Sequence, residues 1–186
     1  MSTANFHSLQ CHPASTAPAL LRVAVRLSRV DNGDLRLDYR LQGVRALRLP
    51  PPATPGPADG LWQHTCCEAF MATVDGSAYR EFNFSPAGQW AIYDFTTYRQ
   101  RKLDAPPNSA LLDGLNGPPG ITCQHDGDTL QLAATIPAAL LPTGGARIGL
   151  TVVAETPSND KSYWALAHAA VQPDFHLAAS FTLPLP

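Results

Sequence analysis

Two short stretches decide the fold. Leu21-Arg22-Val23-Ala24-Val25-Arg26-Leu27-Ser28 alternates apolar and polar residues, and so does Leu35-Arg36-Leu37-Asp38-Tyr39-Arg40-Leu41. A period of two is that of a strand with one buried face. Between them lies Asp31-Asn32-Gly33-Asp34. Asn and Gly accept the positive φ that a tight hairpin turn requires. Strand, turn, strand therefore predicts a β-hairpin, and a third short strand is expected over residues 46–49.

The same reading extends along the chain. Residues 62–73 predict a long strand. Residues 79–84 predict a second, with Tyr79, Glu81 and Asn83 on one face and Arg80, Phe82 and Phe84 on the other. Ser85-Pro86-Ala87-Gly88 is a turn. Residues 90–95 predict a third strand, alternating Trp90, Ile92 and Asp94 with Ala91, Tyr93 and Phe95. Residues 104–120 are expected to form a long surface loop. A second hairpin is predicted over 121–136 and one helical turn over 137–141. The apolar run 147–155 predicts a central strand, and 162–167 and 175–183 the last two. The expectation is an all-β, antiparallel sandwich of jelly-roll or immunoglobulin-like type, with about ten strands and little helix. Residues 1–18 read as a loose lead-in and 19–186 as a single domain. The 18 prolines and 13 glycines scattered between these segments fit that reading, because both residues interrupt long helices.

Composition narrows the function. The chain has 186 residues, 45% of them hydrophobic, 15% charged, and a net charge of −2. A near-neutral chain lacks the basic stripe that displaces counterions from phosphates, so no nucleic-acid partner is expected. No window reaches the roughly 18 apolar residues of a membrane span. The first ten residues hold no Lys or Arg and no apolar run, unlike a secretory signal. The expectation is a cytoplasmic chain whose four cysteines, Cys11, Cys66, Cys67 and Cys123, stay reduced. The G-x-S-x-G, P-loop, G-x-G-x-x-G and H-E-x-x-H motifs are all missing. His64 with Glu68 is a weak hydrolytic pair, and nothing in the sequence activates Cys66 or Cys67 as a nucleophile.

The informative residues are aromatic and hydrogen-bonding ones. On a strand, Trp62, His64, Cys66 and Glu68 would share one face. Trp90 follows a turn, and Trp164 stands beside Tyr163. A flat indole can cover the apolar C–H face of a sugar while carboxylate, amide or guanidinium groups take its hydroxyls. Each indole can equally be a core residue. Glu68 can equally pair with an arginine such as Arg80 or Arg99.

The stretch Leu61-Trp62-Gln63-His64-Thr65-Cys66-Cys67-Glu68-Ala69-Phe70 precedes Tyr79-Arg80-Glu81-Phe82-Asn83-Phe84-Ser85-Pro86-Ala87-Gly88-Gln89-Trp90. Together they resemble the DOMON-like superfamily, and within it the family-9 carbohydrate-binding modules and their bacterial single-domain relatives. Tyr163-Trp164-Ala165-Leu166-Ala167-His168 and Pro173-Asp174-Phe175-His176 are similar to the same relatives. The resemblance implies a β-sandwich without a catalytic centre that holds a small sugar or a glycan end between two tryptophans. Trp62 and Trp164 are the expected pair, with Glu68, Arg80, Asn83, Trp90 and Arg99 as further ligand-binding candidates. No cofactor is expected, although some members bind structural calcium. An alternative that the superfamily implies is a haem-binding redox module, with Met71 and either His168 or His176 as axial ligands. A small enzyme of unsignalled chemistry is the other alternative.

Overall fold

A computed structural model describes residues 5–103 and 118–186. Most of the expected loop at 104–120 lies outside the described residues. The strands in chain order are β1 (His7–Ser8), β2 (Gln10–Cys11), β3 (Arg22–Arg29), β4 (Leu35–Gln42), β5 (Gly56–Pro57), β6 (Cys66–Thr73) and β7 (Tyr79–Phe84). They continue with β8 (Gln89–Thr97), β9 (Gln100–Arg101), β10 (Gly120–Asp126), β11 (Thr129–Ile136), β12 (Ala146–Glu155), β13 (Lys161–Ala165) and β14 (Leu183–Pro184). Short 3₁₀ turns are the only helical structure among the described residues.

The strands form two sheets, and every pairing except the short β5–β8 contact is antiparallel. One sheet has the order β1-β3-β4-β11-β10. The other has the order β2-β13-β12-β6-β7-β8-β5, with β14 paired to β12 and β9 to β8. The molecule is a β-sandwich. Its main core lies between the sheets: Val23, Val25, Leu37, Tyr39, Leu132 and Ile136 of the first meet Met71, Phe82, Phe84, Ile148, Leu150 and Val152 of the second. Each fully buried Leu, Ile, Val, Phe or Met contributes about 1.5–3 kcal/mol relative to exposure.

The predicted hairpins stand, at 22–42 and 120–136. Three expected strands differ. Gly60 has φ 70, in the left-handed region that favours glycine, and starts a 3₁₀ turn over Leu61–Gln63. The strand of β6 begins only at Cys66, so Trp62 leaves the sheet altogether. Residues 46–49 form no strand either. Gly43, with φ 86, opens a 3₁₀ turn over Val44–Ala46, and a Cβ there would lie 2.6 Å from the Leu20 carbonyl oxygen. Residues 175–183 fold back over the second sheet, with a 3₁₀ turn at Ala178–Ser180 and only β14 paired. The lead-in is also tied down. β1 joins the first sheet and β2 the second, and between them the Leu9 N–H donates to the Val23 carbonyl at 2.9 Å. This segment stitches the two sheets together along one edge.

Candidate ligand-binding site

The outer face of the nine-stranded sheet is not left to solvent. Alternation along β6 sends Cys67, Ala69 and Met71 into the core and Cys66, Glu68, Phe70 and Ala72 outward. The register sets Glu68 between Thr151 of β12 and Asn83 of β7. It sets Phe70 between Gly149 of β12 and Glu81 of β7, with Tyr93 of β8 next in the row. The chain after β13 folds over one end of this face and forms a second apolar cluster. There Phe181 stacks on Phe70 with centroids 5.9 Å apart, and Tyr79 on Phe95 at 4.6 Å.

Beside that cluster the face opens into a cleft of about 1300 Å³. Glu68, Phe70, Glu81, Tyr93 and Phe95 contribute from the sheet. Residues 14–18, Asp59, Trp62, Arg99, Arg101, Tyr163, Phe175 and His176 line its sides. Trp62 is 51% exposed there. Tyr93 donates its phenol proton to Asp59 and accepts the Gly60 N–H at 3.2 Å, which anchors the turn carrying Trp62. Burial and Asp59 both raise the Tyr93 pKa, so the phenol stays protonated.

One network fixes the far wall. Tyr98 donates to Asp174 at 2.6 Å, and Arg99 donates to Asp174 at 3.0 Å and to Tyr98 at 3.3 Å. Burial alone would raise the Asp174 pKa, but these hydrogen bonds and that from the His176 N–H outweigh it and hold it low. Arg99 takes φ 55, unusual for a residue with a side chain, and its N–H donates to Tyr79 Oη at 3.0 Å. Tyr79 Oη also lies 2.8 Å from His176 Nδ1. Burial and the nearby Arg99 charge push the His176 pKa down to about 4. His176 is therefore neutral near pH 7, and its 4.0 Å approach to Glu81 is not an ion pair.

The cleft floor carries two buried carboxyl groups, Glu68 (2% exposed) and Glu81 (4%). Thr151 Oγ1 donates to Glu68 at 3.1 Å, and Asn83 Nδ2 to Glu81 at 2.7 Å. Burial pushes both pKa values up, that of Glu81 to about 7, and repulsion from Glu81 raises Glu68 further. Each therefore holds its proton to higher pH than a free carboxyl group, and a protonated carboxyl group can donate as well as accept.

The structure brings together Trp62, Glu68 and Arg99 of the predicted site residues. Asn83 shares their face but is wholly buried, where it orients Glu81. The other three lie elsewhere. Arg80 stands on the opposite side of β7 and binds Asp94 at 2.7 and 3.1 Å and the Leu140 carbonyl at 2.8 Å. Neither it nor Arg99 pairs with Glu68 among the described ion pairs. Trp90 (2% exposed) and Trp164 (7%) belong to the inter-sheet core. The cause is register. Trp164 pairs with Val152, which faces the core, so its neighbour Tyr163 is the aromatic that enters the cleft. Trp62 and Trp164 therefore do not flank one pocket.

The other chemical expectations are also placed. His64 Nδ1 lies 2.9 Å from Glu155 rather than meeting Glu68. Cys66 and Cys67 are buried, and burial raises both thiol pKa values, the opposite of activation. Met71 is in the inter-sheet core, whereas His168 and His176 pack with Phe175 and Phe70 on the outer side of the sheet. Met71 cannot share an axial-ligand site with either. Among the described residues no three His, Cys, Asp or Glu side chains gather as a metal site.

Several lining residues were not singled out from the sequence. Tyr93 and Phe95 carried a signal, since they alternate with Trp90 and must face away from it. Asp59, Arg101, Asp160, Lys161 and Phe175 carried none, because loops and strand ends bring them in.

No family model matches the chain, and no curated protein matches it. Solved structures do share its fold. It is similar to a protein from Bacteroides uniformis ATCC 8492 proposed to bind carbohydrate, with a TM-score of 0.65 and 17% identity over 96% of this chain and 84% of that one. It is also similar to a family-9 carbohydrate-binding module from Caldicellulosiruptor kristjanssonii, solved in complex with cellotriose. There the TM-score is 0.51 and the identity 12%, over 88% of this chain and 72% of that one. At these identities the likeness is one of fold: the chain has the β-sandwich architecture of the family-9 carbohydrate-binding modules.

Proposed function

We propose that the protein is a non-catalytic module that binds a small sugar or a glycan end in the cleft on the outer face of its larger sheet. The observation that carries this reading is the half-exposed Trp62 indole lining the same cleft as Glu68 and Glu81. Stacking on an indole removes the apolar face of a pyranose from water. Carboxyl groups on the floor and Arg101 at the side offer hydrogen bonds to its hydroxyls, the charged ones being the stronger. Tyr163 and Phe175 add further apolar lining. The two solved structures of the same fold support the reading, one as a proposed carbohydrate binder and one in complex with cellotriose. A non-catalytic role is supported by the fold that the chain shares with these carbohydrate-binding proteins.

The test is a titration with glucose and with cellotriose, followed by tryptophan fluorescence and by NMR. Two of the three indoles are buried in the core, so a ligand-induced change should come from Trp62. Affinity is expected between about 1 μM and about 1 mM, since a small sugar offers few atoms against the entropy of immobilisation. Trp62→Ala should abolish binding while the chain stays folded. Binding that survives Trp62→Ala unchanged, or no binding of any mono- or oligosaccharide, would overturn the reading.

A further inference from the structure

We propose that the cleft floor is built to receive a protonated amine, so that the preferred ligand is an amino sugar; this rests on the sugar-binding reading above. Glu68 and Glu81 occupy diagonal positions on neighbouring strands, Glu68 opposite Asn83 and Glu81 opposite Phe70. Diagonal partners of this kind lie within reach of one small group placed between them. Each carboxyl group has one oxygen engaged by the protein, through Thr151 and Asn83. Glu68 Oε1 has no donor among the described residues, and Glu81 Oε2 has only the 4.0 Å approach of neutral His176. Both residues are more than nine-tenths buried, yet both line the open cleft.

Among the described residues no cation makes an ion pair with either carboxyl group, although the charges of Arg101 and Arg99 both act on Glu81 and Lys161 lines the same cleft. Arg99 is held by Asp174 and Tyr98, and Arg101 lies over the Tyr93 ring at 4.1 Å. Neither makes an ion pair with Glu68 or Glu81 among the described residues. The walls point the same way independently. Phe70, Phe95, Tyr163 and Phe175 line the same cleft, and aromatic faces attract a cation through their quadrupole. An ammonium group brings three donors and one positive charge to two carboxyl groups that each present a free oxygen. A hydroxyl brings one donor and no charge, so it does not draw a proton off the pair as an ammonium group does.

The experiment titrates the full chain calorimetrically, near pH 7, with glucose, glucosamine and N-acetylglucosamine. These differ only at C2, where they carry a hydroxyl, an ammonium or a neutral amide. Glucosamine should bind at least about tenfold more tightly than either neutral sugar. The advantage should shrink as salt rises from about 50 mM to about 500 mM. Glu68→Gln and Glu81→Gln keep the shape of the side chain, so each should cut the glucosamine-to-glucose affinity ratio, measured within the same variant, below about threefold. Should a variant fail to fold, the wild type still decides. Heats compared in two buffers should show protons released on binding glucosamine but not glucose. Glucose binding with no glucosamine advantage would overturn the amine site and leave the sugar reading standing. An advantage that survives in both Gln variants would place the amine elsewhere and overturn the proposal. If none of the three sugars binds, both readings fall.

Discussion

Tyr39 reaches across the core: its phenol donates a 2.7 Å hydrogen bond to the backbone carbonyl of Glu68. Tyr39 belongs to the smaller sheet and Glu68 to the cleft floor on the far side of the larger one. The ring fills the core, and burial raises the phenol pKa so that its proton stays in place. Tyr39→Phe keeps the apolar filling and removes only the bond. It should cost about 1–2 kcal/mol in urea unfolding, and it should weaken ligand binding by loosening Glu68. A loss much beyond that range would mean that the ring itself had shifted.

The three tryptophans should separate cleanly. Trp90 and Trp164 are core residues, the latter with its Nε1–H donating to Ser162 Oγ at 3.0 Å. Replacing either by Ala should cost about 3–5 kcal/mol. Trp62→Ala should stay within about 1 kcal/mol, as exposed substitutions do, while removing the ligand platform. Chemical denaturation of the three variants checks this. A Trp62→Ala chain that is as unstable as the Trp164→Ala chain would make Trp62 a structural residue.

These tryptophans also show how far the sequence could be read. Period-two alternation located β3, β4 and β7 nearly to the residue, because each turns one side into the core every second position, and the apolar run at 147–155 located β12, which is buried on both faces. The same parity correctly separated the Glu81 face of β7 from its Phe82 face. It misled at Trp62, where Gly60 turns the chain out of the strand and cancels the parity argument. It was silent at Trp164 because alternation does not say which face is outward. That is set by pairing with Val152, some twelve residues distant in sequence and joined through a turn. Residues 175–183 read as a strand in the sequence; in the fold Phe181 stacks on Phe70 and Phe175 packs tilted against the same ring, on the sheet's outer surface.

Stability should depend on pH through two opposed groups of side chains. Glu68 and Glu81 hold protons in the folded chain that they release on unfolding, so both lower stability as pH rises above about 4.5, Glu81 up to about 7. His176 acts in the other direction. It is neutral in the folded chain down to about pH 4 but protonates near 6.5 when unfolded, so its contribution is complete above pH 6.5 and is lost as pH falls to 4. Glu81→Gln should therefore gain on the wild type as pH rises through 4.5–7, by on the order of 1–3 kcal/mol. His176→Asn should flatten the acid limb instead. Denaturant midpoints measured from pH 4 to 8 decide it: a constant difference between Glu81→Gln and wild type would show that Glu81 titrates normally.

Gly149 is a glycine of close approach. It lies on the outer side of β12 opposite Phe70, and a Cβ there would stand 2.8 Å from Phe181 Cδ1 and 3.4 Å from the Ser180 carbonyl oxygen. On a free strand Ala is the better residue by roughly 0.5–1 kcal/mol, so any loss from Gly149→Ala reports the clash. Phe181 must then leave its stack on Phe70, and with it the segment that carries Phe175 and His176 into the cleft. We expect Gly149→Ala to cost about 1–3 kcal/mol, as overpacking does, to speed amide exchange over residues 172–181, and to weaken ligand binding. A double-mutant cycle isolates the cause. In a Phe181→Ala background the methyl group has nothing to strike, so Gly149→Ala should there be neutral or stabilising. An equal loss in both backgrounds would place the penalty in β12 itself and release the C-terminal segment from any part in shaping the cleft.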